Sequence, residues 1–267
     1  MRLFGPRGSP WRRRLKALPV IGFGLRLALA AFWRLYGLWM EGFWLPRVVK
    51  PYRDFTRRCT DFKNRHERTA KNLTRKNTRR GYDRVYGDAQ LLDEYLHPER
   101  FAFYRELADV AARLRPNSVI DVGCGTGNLL HELVERAAPE RVVGIDYTRS
   151  GVRRAAQLVP GGEFLVADIY DLSLDETFDV VLCTEVLEHV PDPAGAVQCL
   201  LRLCGGSGAI VITVPDGASD TFEGHLNFWT AAELEKFLGR YGDLELSRMG
   251  DDDLLAILRP RRELKRT

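Results

Sequence analysis

The groups able to do chemistry lie in the second half of the chain: three acids, three alternate glycines and two histidines. Asp121 ends an apolar run that starts at Val119, and Gly123, Gly125 and Gly127 follow at every second position. Glycines so placed allow positive φ and let a ligand lie on the backbone, while the amides opening the next helix face a partial negative charge. Such a loop holds a ligand of nucleoside type. The dinucleotide loop differs, since its last two glycines stand three apart. Asp146 ends a second apolar run 25 positions after Asp121, and Asp168 follows a third, 22 positions further on. A carboxylate at the second strand tip can accept hydrogen bonds from both ribose hydroxyls. The competing reading is that each acid caps the helix after it; three acids in register behind a glycine loop weigh against that.

A fourth apolar run, 178–183, leads into Thr184-Glu185-Val186-Leu187-Glu188-His189-Val190-Pro191-Asp192-Pro193. A fifth, 208–214, leads to Glu223-Gly224-His225-Leu226-Asn227-Phe228-Trp229-Thr230. Histidine titrates close to neutral pH and suits proton removal, so His189 and His225 are candidate general bases and Glu185 a candidate orienting group. The bland alternatives are a packed His189 and a Phe228-Trp229 pair that only anchors the helix beginning at Thr230.

The Asp-x-Gly-x-Gly-x-Gly loop, the later acids and the Glu185 to Pro193 run resemble the class I S-adenosylmethionine-dependent methyltransferases, and among them the ubiquinone-biosynthesis O-methyltransferases. The resemblance spans residues 117–258, about half the chain. It implies S-adenosylmethionine as cofactor, held by Asp121, Gly123, Cys124, Gly125, Thr126, Gly127, Asp146, Tyr147, Asp168, Ile169, Thr184 and Glu185. It also implies an antiparallel final pair of strands, adenine recognition by Asp168 and helices before the domain that shape the acceptor pocket, where Tyr82 or Tyr86 would either touch substrate or pack in the core. Transfer from an activated methyl carbon needs chiefly in-line positioning of the acceptor.

Absences narrow the acceptor. No Asn/Asp-Pro-Pro-Tyr/Phe motif of nucleobase N-methyltransferases follows the fourth strand, no Pro-Cys pair of cytosine C5 enzymes appears, and the metal-binding acids of catechol-type enzymes are not recognisable. The expectation is an oxygen acceptor with no metal, on a small or lipid-linked molecule. The five cysteines form no Cys-x-x-Cys pair, so neither a disulfide framework nor zinc is indicated.

Apolar strands alternating with amphipathic helices must position these groups, which predicts an α/β, Rossmann-like, mostly parallel seven-stranded sheet with helices on both faces. Helices are expected over 98–114, 193–203 and 231–241, the last with a Thr230–Glu233 capping box, and late strands over 208–214, 244–247 and 254–258. The predicted division is 1–50, 51–115, a catalytic domain over 116–260 and a basic tail over 261–267, with Gly81 marking a boundary.

The N-terminal third is electrostatically distinct. Residues 1–80 hold 21 Lys+Arg against 4 Asp+Glu, net +17, so the rest, with 19 against 32, is net −13. A segment so basic seeks an anionic partner. Between Pro19 and Leu45 the charges Arg26, Arg34 and Glu41 fall on one narrow stripe, with Trp33, Trp39 and Trp44 on an apolar helix. This predicts an amphipathic segment in 1–50 lying on an anionic membrane at its cytoplasmic face; packing on the catalytic domain or in a homodimer, and a spanning helix, are the alternatives. From Val48 to Leu73 apolar residues step by four and three alternately, a basic helix with a heptad seam. The competing functions are an RNA methyltransferase that grips phosphates with this arm and a non-catalytic, membrane-docked cofactor-binding partner.

Overall fold

The computed structural model describes residues 78–172, 174–222 and 224–261. The amphipathic segment, the heptad seam and the basic tail all lie outside the described residues.

Three helices precede the sheet: α1 (Arg79–Gly87), α2 (Ala89–Tyr95) and α3 (Pro98–Arg113). Thr78 caps α1 by accepting a hydrogen bond from the Gly81 amide at 3.1 Å. Gly81 therefore sits inside the first turn of this helix; a capped turn tolerates glycine where a helix interior would lose about 1 kcal/mol. Asp88 caps α2 through the amides of Gln90 and Leu91.

Strands and helices then alternate: β1 (Ser118–Val122), α4 (Asn128–Ala137), β2 (Arg141–Asp146), α5 (Arg149–Leu158), β3 (Glu163–Val166), β4 (Phe178–Thr184), α6 (Pro193–Leu203), β5 (Cys204–Pro215), α7 (Ala231–Leu238), β6 (Gly242–Met249) and β7 (Asp253–Pro260). The seven strands form one sheet in the order β3-β2-β1-β4-β5-β7-β6. β1 to β5 run parallel, and β7 lies antiparallel between β5 and β6. The Rossmann-like expectation and the antiparallel final pair both hold.

Strand periodicity explains the two cores. In β4, Val181 and Cys183 face a cluster with Leu200 of α6 and Leu234 of α7, whereas Val180 and Leu182 face Leu107 of α3 and Leu130 of α4. Each fully buried Leu, Ile or Phe contributes roughly 1.5–3 kcal/mol relative to exposure, so the sheet is held from both faces. Element ends differ from the sequence expectation: β5 starts earlier, where Cys204 pairs with Phe178 of β4, and antiparallel pairing from Gly242 to Met249 extends β6 and β7 past their apolar cores. The last helix stops at Leu238 rather than Tyr241, and β3 ends at Val166, before Asp168.

Chain order reverses between β1 and β4. Ligands in open α/β sheets bind beyond the strand C-termini at such a switch point, and the glycine loop after β1 and the Glu185 to His189 turn after β4 flank this crevice.

Candidate active site

The glycine loop hangs from the end of β2, where the amides of Gly123 and Cys124 donate to Ile145 O at 2.7 and 2.9 Å. Gly123 and Gly127 have φ of +88° and +81°. A Cβ on Gly123 would lie 2.3 Å from Val186 Cγ2, and one on Gly127 2.8 Å from Ala155 Cβ, so both backbone conformation and packing exclude side chains there.

Asp146, the last residue of β2, ties this loop to the next helix. Its Oδ2 accepts from the Gly125 amide at 3.0 Å, and its Oδ1 from the Thr148 amide at 2.8 Å and Thr148 Oγ1 at 2.6 Å. Asp121 is buried beside it, with Oδ1 lacking a hydrogen-bond partner among the described residues. Burial, and then the nearby Asp146, push its pKa up to about 8. Cys124 and Thr126 are buried in the same loop, and burial raises the Cys124 thiol well above its usual value. Asp168 departs from the other two: it is exposed and accepts from the Tyr170 amide at 3.1 Å, capping the short turn that follows β3. Ile169 packs in the core, and Tyr147 stays half-buried with its ring 6.2 Å from that of Tyr82.

Helix α1 covers both halves of the crevice. It is pinned to α5 by Asp83, whose Oδ1 accepts from the Ser150 amide at 2.8 Å and Ser150 Oγ at 2.5 Å, and by Arg154, whose Nε donates to Tyr86 O at 2.5 Å. The Tyr86 hydroxyl would stand 3.3 Å from a Cβ on Gly125. One turn earlier, the Tyr82 hydroxyl lies 3.4 Å from both ring nitrogens of His189.

The other half is built after β4 and β5. Glu185 adopts φ of +56°, rare for a side-chain-bearing residue, and accepts from Thr213 Oγ1 at 3.1 Å. A short helical turn, Leu187–His189, then carries Glu188 inward; it is 1% exposed, and neither carboxylate oxygen has a hydrogen-bond partner among the described residues. Burial first and Glu185 second raise its pKa, while burial and then Asp253 raise that of Glu185. His189 Nε2 stands 3.5 Å from Glu188 Oε1, and the His189 and His225 ring centroids are 4.7 Å apart. Burial and the neighbouring His225 push His189 down to about pKa 3. A ring so weakly basic is a poor proton acceptor and a ready neutral ligand.

One ligand atom from each of Glu188, His189 and His225 lies within 4.8 Å of the other two. Cysteine spacing and catechol-type acids give no notice of this group, because its members come from two loops that only the fold brings together. Sequence reasoning also missed Asp220, whose Oδ2 lies 2.6 Å from His225 Nδ1, and Asn227. The Asn227 side chain donates to Leu187 O at 2.9 Å and Val190 O at 2.7 Å, while the Leu226 and Asn227 amides donate to Glu188 O. Trp229 stacks on Phe237, and Thr230 forms the expected capping box with Glu233, so this aromatic residue anchors α7.

Comparison with known proteins agrees with this architecture. Residues 93–243, more than half of the chain, match a family described as a methyltransferase domain. The chain belongs to this family. It is 30% identical over 188 residues to an uncharacterised 37.1 kDa protein of transposon TN4556 from Streptomyces fradiae, covering 68% of this chain and 50% of that protein. It is 30% identical over 130 residues to trans-aconitate 2-methyltransferase of Rhodopseudomonas palustris strain BisB5, covering 48% and 51%. The chain thus spans about half the length of these relatives. The N-methyltransferase NodS from Bradyrhizobium japonicum WM9, solved with S-adenosyl-L-homocysteine, shares the fold with a TM-score of 0.57 at 21% identity, over 70% of this chain and all of NodS. The plantazolicin methyltransferase BpumL, also solved with that ligand, gives a TM-score of 0.53 at 15% identity, over 72% of this chain and 99% of its own.

The described domain is therefore a class I methyltransferase domain whose donor is S-adenosylmethionine. Its residues fit that molecule. The orphaned Asp121 carboxylate oxygen at the glycine loop complements a cationic amino group.

Proposed function

We propose that this methyltransferase domain methylates an oxygen of a small-molecule acceptor, with a divalent cation held by Glu188, His189 and His225 at the acceptor side. One observation carries the reading: a buried Glu188 carboxylate with no hydrogen-bond partner among the described residues, facing two histidines. An uncompensated buried carboxylate costs several kcal/mol, and a cation between these groups removes that cost.

S-Adenosylmethionine supplies an activated methyl carbon. The chain's own groups then have to present the acceptor oxygen in line with it and deal with its proton. His189, kept neutral by its surroundings, would serve as a ligand rather than as the base. Glu185, half-buried and raised toward neutrality by burial and Asp253, is the group suited to accept the proton of the acceptor hydroxyl, and a bound cation would supply Lewis acidity beside it. Tyr82 closes the site over His189. The resemblance of the Glu185 to Pro193 run to ubiquinone-biosynthesis O-methyltransferases supports an oxygen acceptor.

The test is calorimetric titration of Mn²⁺ and Zn²⁺ into the protein saturated with S-adenosylhomocysteine, beside a Glu188→Gln variant. Binding near one ion per chain, abolished in the variant, is expected; no uptake by the native protein removes the cation from the reading. The same unpaired carboxylate would also suit a protonated amine acceptor. Turnover of amines with no dependence on metal selects that alternative.

A lipid-linked acceptor and a seat at the cytoplasmic face of an anionic membrane belong to the same proposal, supported by the tryptophan-rich amphipathic pattern of residues 1–50. Among the described residues no helix is long and apolar enough to cross a membrane. Deleting residues 1–50 is expected to abolish binding to vesicles containing phosphatidylglycerol. Unchanged vesicle binding and unchanged activity on a lipidic acceptor would discard that part.

A further inference from the structure

The loop between β5 and α7 holds an acid that the function proposed above leaves unused. Asp220 and His225 stand five positions apart, and their side chains are only 5% and 9% exposed where Asp220 Oδ2 meets His225 Nδ1 at 2.6 Å. The other oxygen of Asp220, Oδ1, accepts from the Phe222 amide at 2.9 Å, and the His225 amide in turn donates to Phe222 O at 3.3 Å. The carboxylate is thereby fixed in the loop before it acts on the ring.

A neutral imidazole carries one donor and one acceptor nitrogen. A carboxylate only accepts, so a contact of 2.6 Å at Nδ1 puts the proton there and leaves the lone pair on Nε2. The His225 ring packs against His189 at 4.7 Å with an interplanar angle of 71°, so its position is set from two sides. Ligating histidines in metal sites are commonly held this way, with the far nitrogen donating to a carboxylate that fixes tautomer and orientation.

We propose that Asp220 is a positioning residue: by accepting the Nδ1 proton of His225 it presents the Nε2 lone pair to a divalent cation shared with Glu188 and His189. The proposal rests on the cation reading above and adds to it a fourth residue that does not touch the ion. It also explains why a carboxylate is buried in an otherwise aromatic loop containing Phe222 and Phe228, where a neutral acceptor would be cheaper to desolvate.

The experiment uses the full chain saturated with S-adenosylhomocysteine and Co²⁺ as probe, followed by calorimetry and visible ligand-field absorption, with Asp220→Asn and Asp220→Ala beside the native protein. Asp220→Ala is expected to bind Co²⁺ about 10–100-fold more weakly with an altered absorption band. Asp220→Asn, whose amide oxygen still accepts the Nδ1 proton, recovers part of that loss, and S-adenosylhomocysteine affinity stays native in both. Native affinity and an unchanged spectrum in Asp220→Ala would overturn the assignment while leaving the cation site standing; no Co²⁺ uptake by the native protein would overturn both. Should Asp220→Ala fail to fold, ¹⁵N-histidine spectra of the native protein decide. A resonance pattern with His225 protonated on Nδ1 is required, and protonation on Nε2 refutes the proposal.

Discussion

The two sides of the crevice are built on different plans. On the donor side, Asp121, the glycine loop and Asp146 belong to two neighbouring strands and one turn, and the loop is tied to β2 by backbone amides 22 residues apart or fewer. On the acceptor side, Glu188 and His189 come from one loop, His225, Asp220 and Asn227 from another, and Tyr82 from a helix 107 residues upstream of His189. The donor side is made mostly of main chain and strand-tip acids, whereas the acceptor side is made of side chains that meet only in the folded protein. A cofactor common to a whole family is served by backbone geometry, and an individual acceptor by side chains that are free to vary.

This contrast can be broken by experiment. The largest effect is expected from Glu188→Gln, which should lower kcat by on the order of 10³-fold by removing the central charge of the acceptor side, with S-adenosylhomocysteine binding intact. Loss of both together would mean that the two sides are one unit. Asp146→Ala should do the reverse, weakening S-adenosylhomocysteine by about 100-fold, because both the loop amide and Thr148 lose their acceptor; calorimetry reads this directly.

Asp121 gives a pH test of the donor side. Its folded pKa of about 8 lies above its unfolded value, so the folded protein keeps a proton that the unfolded chain releases above pH ~4. Stability is therefore lost as pH rises through that window. Asp121→Asn should melt higher than the native apo protein by a few kcal/mol equivalent at pH 8.5, an advantage that shrinks toward pH 5. An advantage independent of pH would mean that Asp121 is ionised in the fold. On the acceptor side Asn227→Ala should cost about 2 kcal/mol of unfolding free energy in urea, since the carbonyls of Leu187 and Val190 lose their donor, and should loosen cation binding without touching the donor. The smallest effect is Thr230→Ala, about 1 kcal/mol from one lost helix cap, with both ligand affinities unchanged.

How much could be read from the residues follows the same division. Whereas the antiparallel end followed only from the family resemblance, the sheet and its order of elements were legible because apolar runs, glycines and strand-tip acids are local patterns. Asp121 and Asp146 stand close together for that reason. At Asp168 the strand stops two residues short, and the exposed carboxylate caps the turn that follows. The pairing of Asp220 with His225, the inward aim of Glu188 and the grip of Asn227 on the Leu187–His189 turn depend on how two loops cross. Glu188 was visible as part of a block of similar residues, but its buried carboxylate became meaningful only with the histidines beside it.

Helix α1 brings one more consequence, for the sequence of events in turnover. Tyr86 lies over the glycine loop and Tyr82 over His189 on the same rigid helix, so neither half can be uncovered alone by moving it. Breaking the Asp83–Ser150 latch would open donor and acceptor sites in one motion, and release of the spent donor and of the methylated product would share that step. Were both products to leave through that opening they would leave on one clock, and Asp83→Ala is then expected to quicken both dissociation rates by the same factor, as stopped-flow release would read.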